Sequence, residues 1–179
     1  MGGVDKALLP LAGQSLIARV AARFEPQVER LAVSGRQGYL GLPSLADDGS
    51  FGPLSGVLAA LRWAGTARAD AVVTVPVDGP FVPGDLVPRL LLAGDGGRGL
   101  LGVALAQSGG RAHPTFALWP VGVAAALEAF LASGAKARVL DFARSQGAVM
   151  AEFPDDGSFV NLNTPQDLAQ AEAASGAAP

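Results

Sequence analysis

AVVTVPVDGPFVP, residues 71–83, is the stretch that decides the fold. Residues 71–77 form a continuous run of apolar and β-branched residues, in which Pro76 is the one poor strand former. A strand reads this way when both its faces are covered, as in layered α/β sheets. Pro76 has no N–H to pair, so regular pairing is expected to end near it. Asp78 follows directly. Ligands of open α/β sheets bind beyond the carboxyl ends of the strands, so this carboxylate, flanked by prolines, is placed to ligate Mg²⁺. It could equally satisfy the backbone N–H groups of a turn.

Helical and strand periods alternate on both sides of this stretch. Leu16, Val20 and Phe24 recur at helical spacing after Ser15, a candidate N-cap, and Pro26 ends or kinks that helix. RLAVS, residues 30–34, reads as a short buried strand. Residues 54–63 form a helix opened by Gly52-Pro53, with the proline near its first position. Residues 85–92 are another helix. Residues 99–107 and 114–119 are apolar strands joined hairpin-fashion across Ser108-Gly109-Gly110. Helices follow at 121–132 and 137–143, then a strand at 149–153. Thr164-Pro165-Gln166-Asp167 opens the last helix with an N-cap, a proline at N1 and an acid at N3. Residues 173–179 read as a frayed tail. The alternation is that of a layered α/β fold.

Composition narrows the function. At 179 residues, half of them hydrophobic and 16% charged, the chain is expected to fold as one globular domain. A net charge of −3 argues against a nucleic-acid surface. The absence of cysteine excludes disulfides, thiolate metal sites and cysteine nucleophiles. The apolar stretch after Lys6 contains Gln14 and Arg19 and is no signal peptide, and no run reaches the ~20 apolar residues of a membrane helix. A cytoplasmic protein without membrane or nucleic-acid partners is expected.

Four further constellations could carry chemistry. Gly2, Gly3 and Lys6 are the components of a loop that holds a polyphosphate: glycine brings backbone N–H groups close, and lysine adds a point charge. A terminus with one solvated lysine would look the same. Gly52 and Gly56 flank a helix start, where unpaired N–H groups attract anions, and Asp47 and Asp48 lie just upstream. His113 is the only histidine, in GGRAHPTFALWP, open to either a base or a positioning role, with Arg111 available to an anion. Asn161 and Asn163 fall on one side of an extended segment, ahead of the Thr164 cap.

Taken in order, GGxDKALL, GPLSG, VDGP, HPTFAL and NLNTP resemble the motifs of the molybdenum cofactor guanylyltransferases over nearly the whole length. That family opens with a buried strand and a glycine-rich loop, LAGGxSxR, followed by Met, Gly and Lys. Met1, Gly2 and Lys6 match the end of that pattern. The resemblance therefore implies one nucleotidyltransferase domain over residues 1–179 whose first strand and first half-loop are absent, with Met1 an internal methionine of a longer chain. A sheet lacking that strand would leave apolar neighbours uncovered and strand edges unpaired.

The resemblance further implies a three-layer α/β/α, Rossmann-like fold with a mostly parallel sheet. It implies transfer of GMP from GTP to the phosphate of molybdopterin or Mo-molybdopterin, releasing pyrophosphate, with Mg²⁺ as cofactor. Other molybdenum-cofactor biosynthesis proteins and acceptor apo-enzymes are implied partners. Lys6 and Asp78 would be catalytic, with Asp78 the metal ligand. Gly2, Gly3, Ser34, Asp48, Gly52 and Gly56 would join them in holding the nucleotide. His113, Asn161 and Asn163 would meet the pterin. Spacing prefers Asp48 over Asp47 as the acceptor for guanine N1–H and N2–H₂. Two departures stand out: Ser34 occupies a position that is often asparagine, and Gly79 one that is often Thr or Ser. A molybdopterin cytidylyltransferase and a non-catalytic nucleotide- or cofactor-binding protein are the alternatives; GPLSG and HPTFAL favour guanine over cytosine.

Overall fold

The computed structural model describes residues 5–35, 37–47, 49–97, 99–134 and 136–176. Two short ribbons come first in the chain. β1 (Pro10–Leu11) pairs antiparallel with β2 (Gln14–Ser15), and β3 (Val33–Ser34) pairs parallel with β4 (Ser44–Leu45). The main sheet has the order β5-β7-β6-β8, from β5 (Ala71–Thr74), β6 (Ala104–Ser108), β7 (Arg111–Pro120) and β8 (Val149–Phe153). The α-helices of the described residues are α1 (Leu16–Phe24), α2 (Pro53–Thr66), α3 (Leu86–Asp95), α4 (Ala124–Ala132), α5 (Val139–Ser145) and α6 (Pro165–Gly176).

Period-two alternation along β6 and β7 builds three layers. Ala104, Ala106, Phe116 and Leu118 face a core closed by Val20 and Phe24 of α1 and by Leu86 and Leu90 of α3. Leu105, Ala117 and Trp119 face the other way, onto Leu61 of α2, Leu127 of α4 and Phe142 of α5. Trp119 is fully buried, stacks on Phe142 at 5.9 Å, and donates its indole N–H to Thr74 Oγ1 at 3.1 Å. A third cluster ties Leu11 and Leu16 to Leu162 and to Ala171 of α6.

The layered α/β class expected from the sequence is the one found. Its sheet is mixed rather than mostly parallel: β5–β7 and β6–β7 are antiparallel and only β6–β8 is parallel. The cause is the hairpin. Gly109 and Gly110, both at positive φ (54° and 75°), turn the chain back within two residues, and a return that tight can only be antiparallel. The long arm β7 then reaches across to β5, and its register against β6 shifts between Leu105 and Ala106.

Several local expectations hold. Ser15 caps α1, its hydroxyl accepting from the Ala18 N–H at 3.4 Å, and Pro26 lies in a 3₁₀ turn that follows the helix end. β5 stops at Thr74, before Pro76. The expected strand at 30–34 shrinks to β3, and the hairpin's second arm lengthens to ten residues. The expectation that residues 71–77 are covered on both faces fails: every residue from 71 to 78 is only half-buried. None of the described helices is long and apolar enough to cross a membrane.

Candidate active site

Three distant parts of the chain meet beyond the C-terminal end of β5. Lys6 Nζ donates to Asp78 Oδ2 at 2.7 Å and to Asn163 Oδ1 at 2.9 Å, across separations of 72 and 157 residues. The side chains of Lys6 and Asp78 keep 31% and 21% of their exposure, so the pair is open to a ligand from solvent.

Each partner is held from behind. Asp5 starts the 3₁₀ turn of residues 6–8 by accepting from the Ala7 N–H at 3.0 Å, which sets the direction of Lys6. Its other oxygen accepts from the Tyr39 hydroxyl at 2.6 Å. That hydrogen bond, with burial and the Asp5 charge, raises the Tyr39 pKa and keeps the phenol protonated. Behind Asp78, Gly79 donates its N–H to Pro76 O at 3.1 Å. A Cβ on residue 79 would stand 2.6 Å from Cζ of the buried Phe116, which accounts for glycine where the resembling family often has Thr or Ser. Asp78 O accepts from the Leu162 N–H at 2.8 Å, fastening the NLNTP segment to the strand end. Leu162 is buried while Asn161 and Asn163 are exposed, as the extended reading requires.

Asn163 is positioned by the cap of α6. Asp167 Oδ2 accepts from the N–H groups of Asn163 and Thr164, both at 2.8 Å, and the Asp167 N–H donates to Thr164 Oγ1 at 3.1 Å. Those backbone donors, helped by the Lys6 charge, hold the Asp167 carboxyl below its usual pKa. Thr164 therefore caps the helix while the Asn163 amide remains turned to Lys6.

A second group gathers where β3 ends and α2 begins. Ser34 Oγ donates to Asp47 Oδ2, and Asp47 Oδ1 accepts from the Gly49 N–H at 2.9 Å. Gly52 caps α2 at φ 58°, a backbone that suits glycine, and Ser55 N–H returns to its carbonyl at 3.0 Å. A Cβ on Gly56 would lie 2.8 Å from Ser34 Oγ and 3.4 Å from Asp47 Oδ2. The carboxylate found beside Ser34 and Gly56 is thus Asp47; Asp48, preferred on spacing, lies outside the described residues, as do Gly2 and Gly3. Among the described residues no hydrogen bond or ion pair joins this group to Lys6 and Asp78. Tyr39, carried on the loop between β3 and β4, links the two regions through Asp5.

His113 stands apart from both. It stacks on Phe159 with centroids 4.5 Å apart and shares a 2.9 Å hydrogen bond between Nε2 and Ser108 Oγ. Phe116 meets both rings edge-on, at 6.5 Å from His113 and 5.0 Å from Phe159. Since the same Phe116 backs Gly79, the histidine is connected to the Asp78 loop through packed rings. Burial, then the neighbouring Arg111 charge, pushes its pKa below 6.5, against a smaller opposing pull from Asp155. The fold therefore favours neutral imidazole. The unfolded chain takes up this proton near 6.5 and the folded chain only at lower pH, so the stabilisation is present above that value and lost as pH falls through the folded pKa. Thermal melts between about pH 7.5 and pH 5.5 should show a larger loss of Tm in the parent than in His113→Phe. Equal losses would refute the assignment.

Sequence reasoning missed Asp5, Tyr39, Ser108 and the Phe116–Phe159 rings. Tyr39 is the only tyrosine, which could have drawn notice, but its partner lies 34 residues away and no local pattern marks the pair.

The chain matches known proteins over most of its length. The MobA-like NTP transferase domain family matches residues 1–149. The chain belongs to that family. As a MobA-like transferase it is a nucleotidyltransferase. It is 57% identical over 177 residues to a molybdenum cofactor guanylyltransferase of Cereibacter sphaeroides, covering 96% of this chain and 89% of that protein. It is 46% identical over 185 residues to the protein of that name from Mesorhizobium japonicum, covering 96% and 88%. Its fold is that of a solved molybdopterin-guanine dinucleotide biosynthesis protein A from Archaeoglobus fulgidus, at TM-score 0.74 and 22% identity over 97% of this chain and 92% of that one. A 2-C-methyl-D-erythritol 4-phosphate cytidylyltransferase from Thermus thermophilus shares the fold at TM-score 0.71, 22% identity, and 96% and 94% coverage.

Proposed function

We propose that this MobA-like transferase moves GMP from GTP to the terminal phosphate of molybdopterin, with or without molybdenum, and releases pyrophosphate. The observation that carries the reading is the convergence of Lys6, Asp78 and Asn163 on one point beyond a sheet strand. The names of its curated relatives supply the base and the acceptor. An oxygen of the pterin phosphate attacks the α-phosphorus of GTP, and the bond from that phosphorus to the bridging oxygen breaks. The attacking oxygen is already ionised, so no base is needed. The obstacle is anion against anion, and the chain's task is to position the phosphates and offset their charge.

The donors around Lys6 suit Mg²⁺: a carboxylate at Asp78 with the Asn163 amide oxygen beside it, all hard oxygens, few enough to leave room for phosphate oxygens. Asp78 would hold the ion, which when bound would neutralise phosphate charge. Lys6 would then be released from Asp78 to the leaving pyrophosphate. Gly2 and Gly3 would bring backbone N–H groups to the phosphates, and the start of α2 at Gly52 and Gly56 would add its own. Asp47, or Asp48 next to it, accepts from guanine N1–H and N2–H₂, with Ser34 steadying Asp47. Asn161 and Asn163, with His113 behind the Gly79–Phe116 contact, would receive the pterin side.

Calorimetric titration with GTP, CTP and ATP in Mg²⁺ tests the base. GTP should bind tightest. Asp47→Asn should weaken GTP by about 1–3 kcal/mol, the cost of a lost hydrogen bond to a buried group, and leave CTP unchanged. The same result from Asp48→Asn alone would move the contact one residue. CTP binding as tight as GTP would sink the guanine assignment.

A further inference from the structure

Leu40, on the loop between β3 and β4, is a large apolar side chain left 56% exposed, on a backbone at φ 54° that strains any residue with a Cβ. With more than half its surface in water, it gains little burial to offset that strain. Gly41 follows at φ 70°, and the Leu42 N–H returns to Tyr39 O at 2.8 Å. Two successive positive φ values under such a hydrogen bond make a tight turn of type I′. Tyr39 occupies the first position of that turn. The base of the same loop is stapled by Ser44, whose hydroxyl donates to Gly35 O at 2.7 Å. Strain that its surroundings hold in place beside one side chain points to a role for that side chain.

The Tyr39 hydroxyl donates to Asp5 Oδ2 at 2.6 Å, while Asp5 Oδ1 accepts from the Ala7 N–H at 3.0 Å. Rotation of a carboxylate about its terminal bond is soft, so one hydrogen bond alone would leave Asp5 free to swing. Bonds to both oxygens fix it. Asp5 starts a 3₁₀ turn of three residues, closed by the Leu8 N–H on Asp5 O at 3.1 Å, and a turn that short is marginal by itself. Lys6 is the first residue of this turn. Its ammonium sits at the end of a flexible four-carbon stem, so its reach to Asp78 and Asn163 depends on where the turn holds its main chain. The loop that carries Tyr39 leaves β3 at Ser34 and returns through β4 toward Asp47. One strap therefore runs from the Ser34–Asp47 group to the lysine.

We propose that Tyr39 is a positioning residue for the transferase reaction: its hydroxyl fixes Asp5, Asp5 fixes the turn, and the turn aims Lys6 at the phosphates. The proposal rests on the guanylyl reading through Lys6 alone, whose ammonium that reading sets against the triphosphate. The β3–β4 loop thereby ties the base-side group to the cation that acts on the leaving pyrophosphate.

Tyr39→Phe removes one oxygen and keeps the ring. With GTP and the pterin substrate, kcat should fall about tenfold while KM for GTP changes by less than about twofold, because a misaimed lysine fails the charge that grows as the bond breaks. The folded circular dichroism spectrum should be kept. In a Lys6→Gln background the same substitution should change kcat by less than about twofold, since the group it positions is gone. Losses that multiply in the double variant would make Tyr39 independent of Lys6 and overturn the proposal. So would a Tyr39→Phe enzyme at the parent rate beside a slow Lys6→Gln, or a Tyr39→Phe chain that fails to fold. Lys6→Gln at the parent kcat would overturn the guanylyl role of Lys6 first, and the proposal with it. Tyr39 is the only tyrosine, so the absorbance of its phenolate on titrating the parent protein reads the bond to Asp5 without any substitution. Ionisation above pH 10.0 that drops toward 10.0 in Asp5→Ala supports the bond, and ionisation at 10.0 or below in the parent overturns it.

Discussion

Asp78→Ala is expected to lower GTP-dependent pyrophosphate release by about 10³-fold or more, because it removes the carboxylate at the strand end that pairs with Lys6 and can serve a metal. The fold should survive. Asp78 is not a core residue, and its ion pair with Lys6 is partly exposed, so the loss in stability should be about 1 kcal/mol or less. The main-chain anchor of this loop also remains, since Leu162 N–H bonds to the carbonyl of residue 78 rather than to its side chain. Turnover measured over a range of Mg²⁺ concentrations, beside circular dichroism, separates the roles. Activity that stays low at every Mg²⁺ level in a folded protein fits a metal ligand. Near-normal turnover would end that role, and loss of the folded spectrum would make Asp78 a structural turn residue instead.

Lys6→Gln is expected to reduce kcat/KM for GTP by about 10²-fold, near the cost of removing one preorganised donor from a developing oxyanion. Lys6 holds Asp78 and Asn163 together in the ligand-free chain, so the substitution has two separable consequences. The loss of positive charge should fall mainly on kcat, because negative charge on the leaving pyrophosphate grows only as the bond breaks. The looser Asn163 should show mainly in KM for the pterin. Lys6→Arg keeps the charge but replaces a compact ammonium by a planar fork, and it should recover part of kcat without restoring the parent value. Steady-state rates with each substrate varied decide the matter. A Lys6→Gln enzyme with unchanged kcat and a raised KM alone would remove Lys6 from charge stabilisation.

Where local chemistry decided the outcome, the sequence was legible. Ser15 and Thr164 cap helices, Pro53 and Pro165 open them, Pro76 lies beyond the last paired residue of β5, and Gly109-Gly110 makes the hairpin. Each of these depends on residues within one turn of the chain. The layered class was legible from the alternation of helical and strand periods, but the strand read as covered on both faces, residues 71–77, is half-buried, and the two-sided core lies on β6 and β7 instead. Strand direction was not legible. An apolar run such as residues 71–77 reads the same whether its neighbour is parallel or antiparallel, and only the reach of β7 across to β5 made that pairing antiparallel.

The site divides along the same line. The sequence by itself determined which residues are present for chemistry: Lys6 near the start, Asp78 after the strongest strand, the glycines at the start of α2, and NLNTP before the last helix. Only the tertiary structure decided that Lys6, Asp78 and Asn163 share one ammonium group, and that Tyr39 holds Asp5 behind it. It also decided that Asp47 is the carboxylate meeting Ser34 beside Gly56. The physical reason is range. Caps, turns and periodicity act over one to four residues, whereas these contacts close separations of 13 to 157 residues, which the packing of the layers alone brings within hydrogen-bond reach.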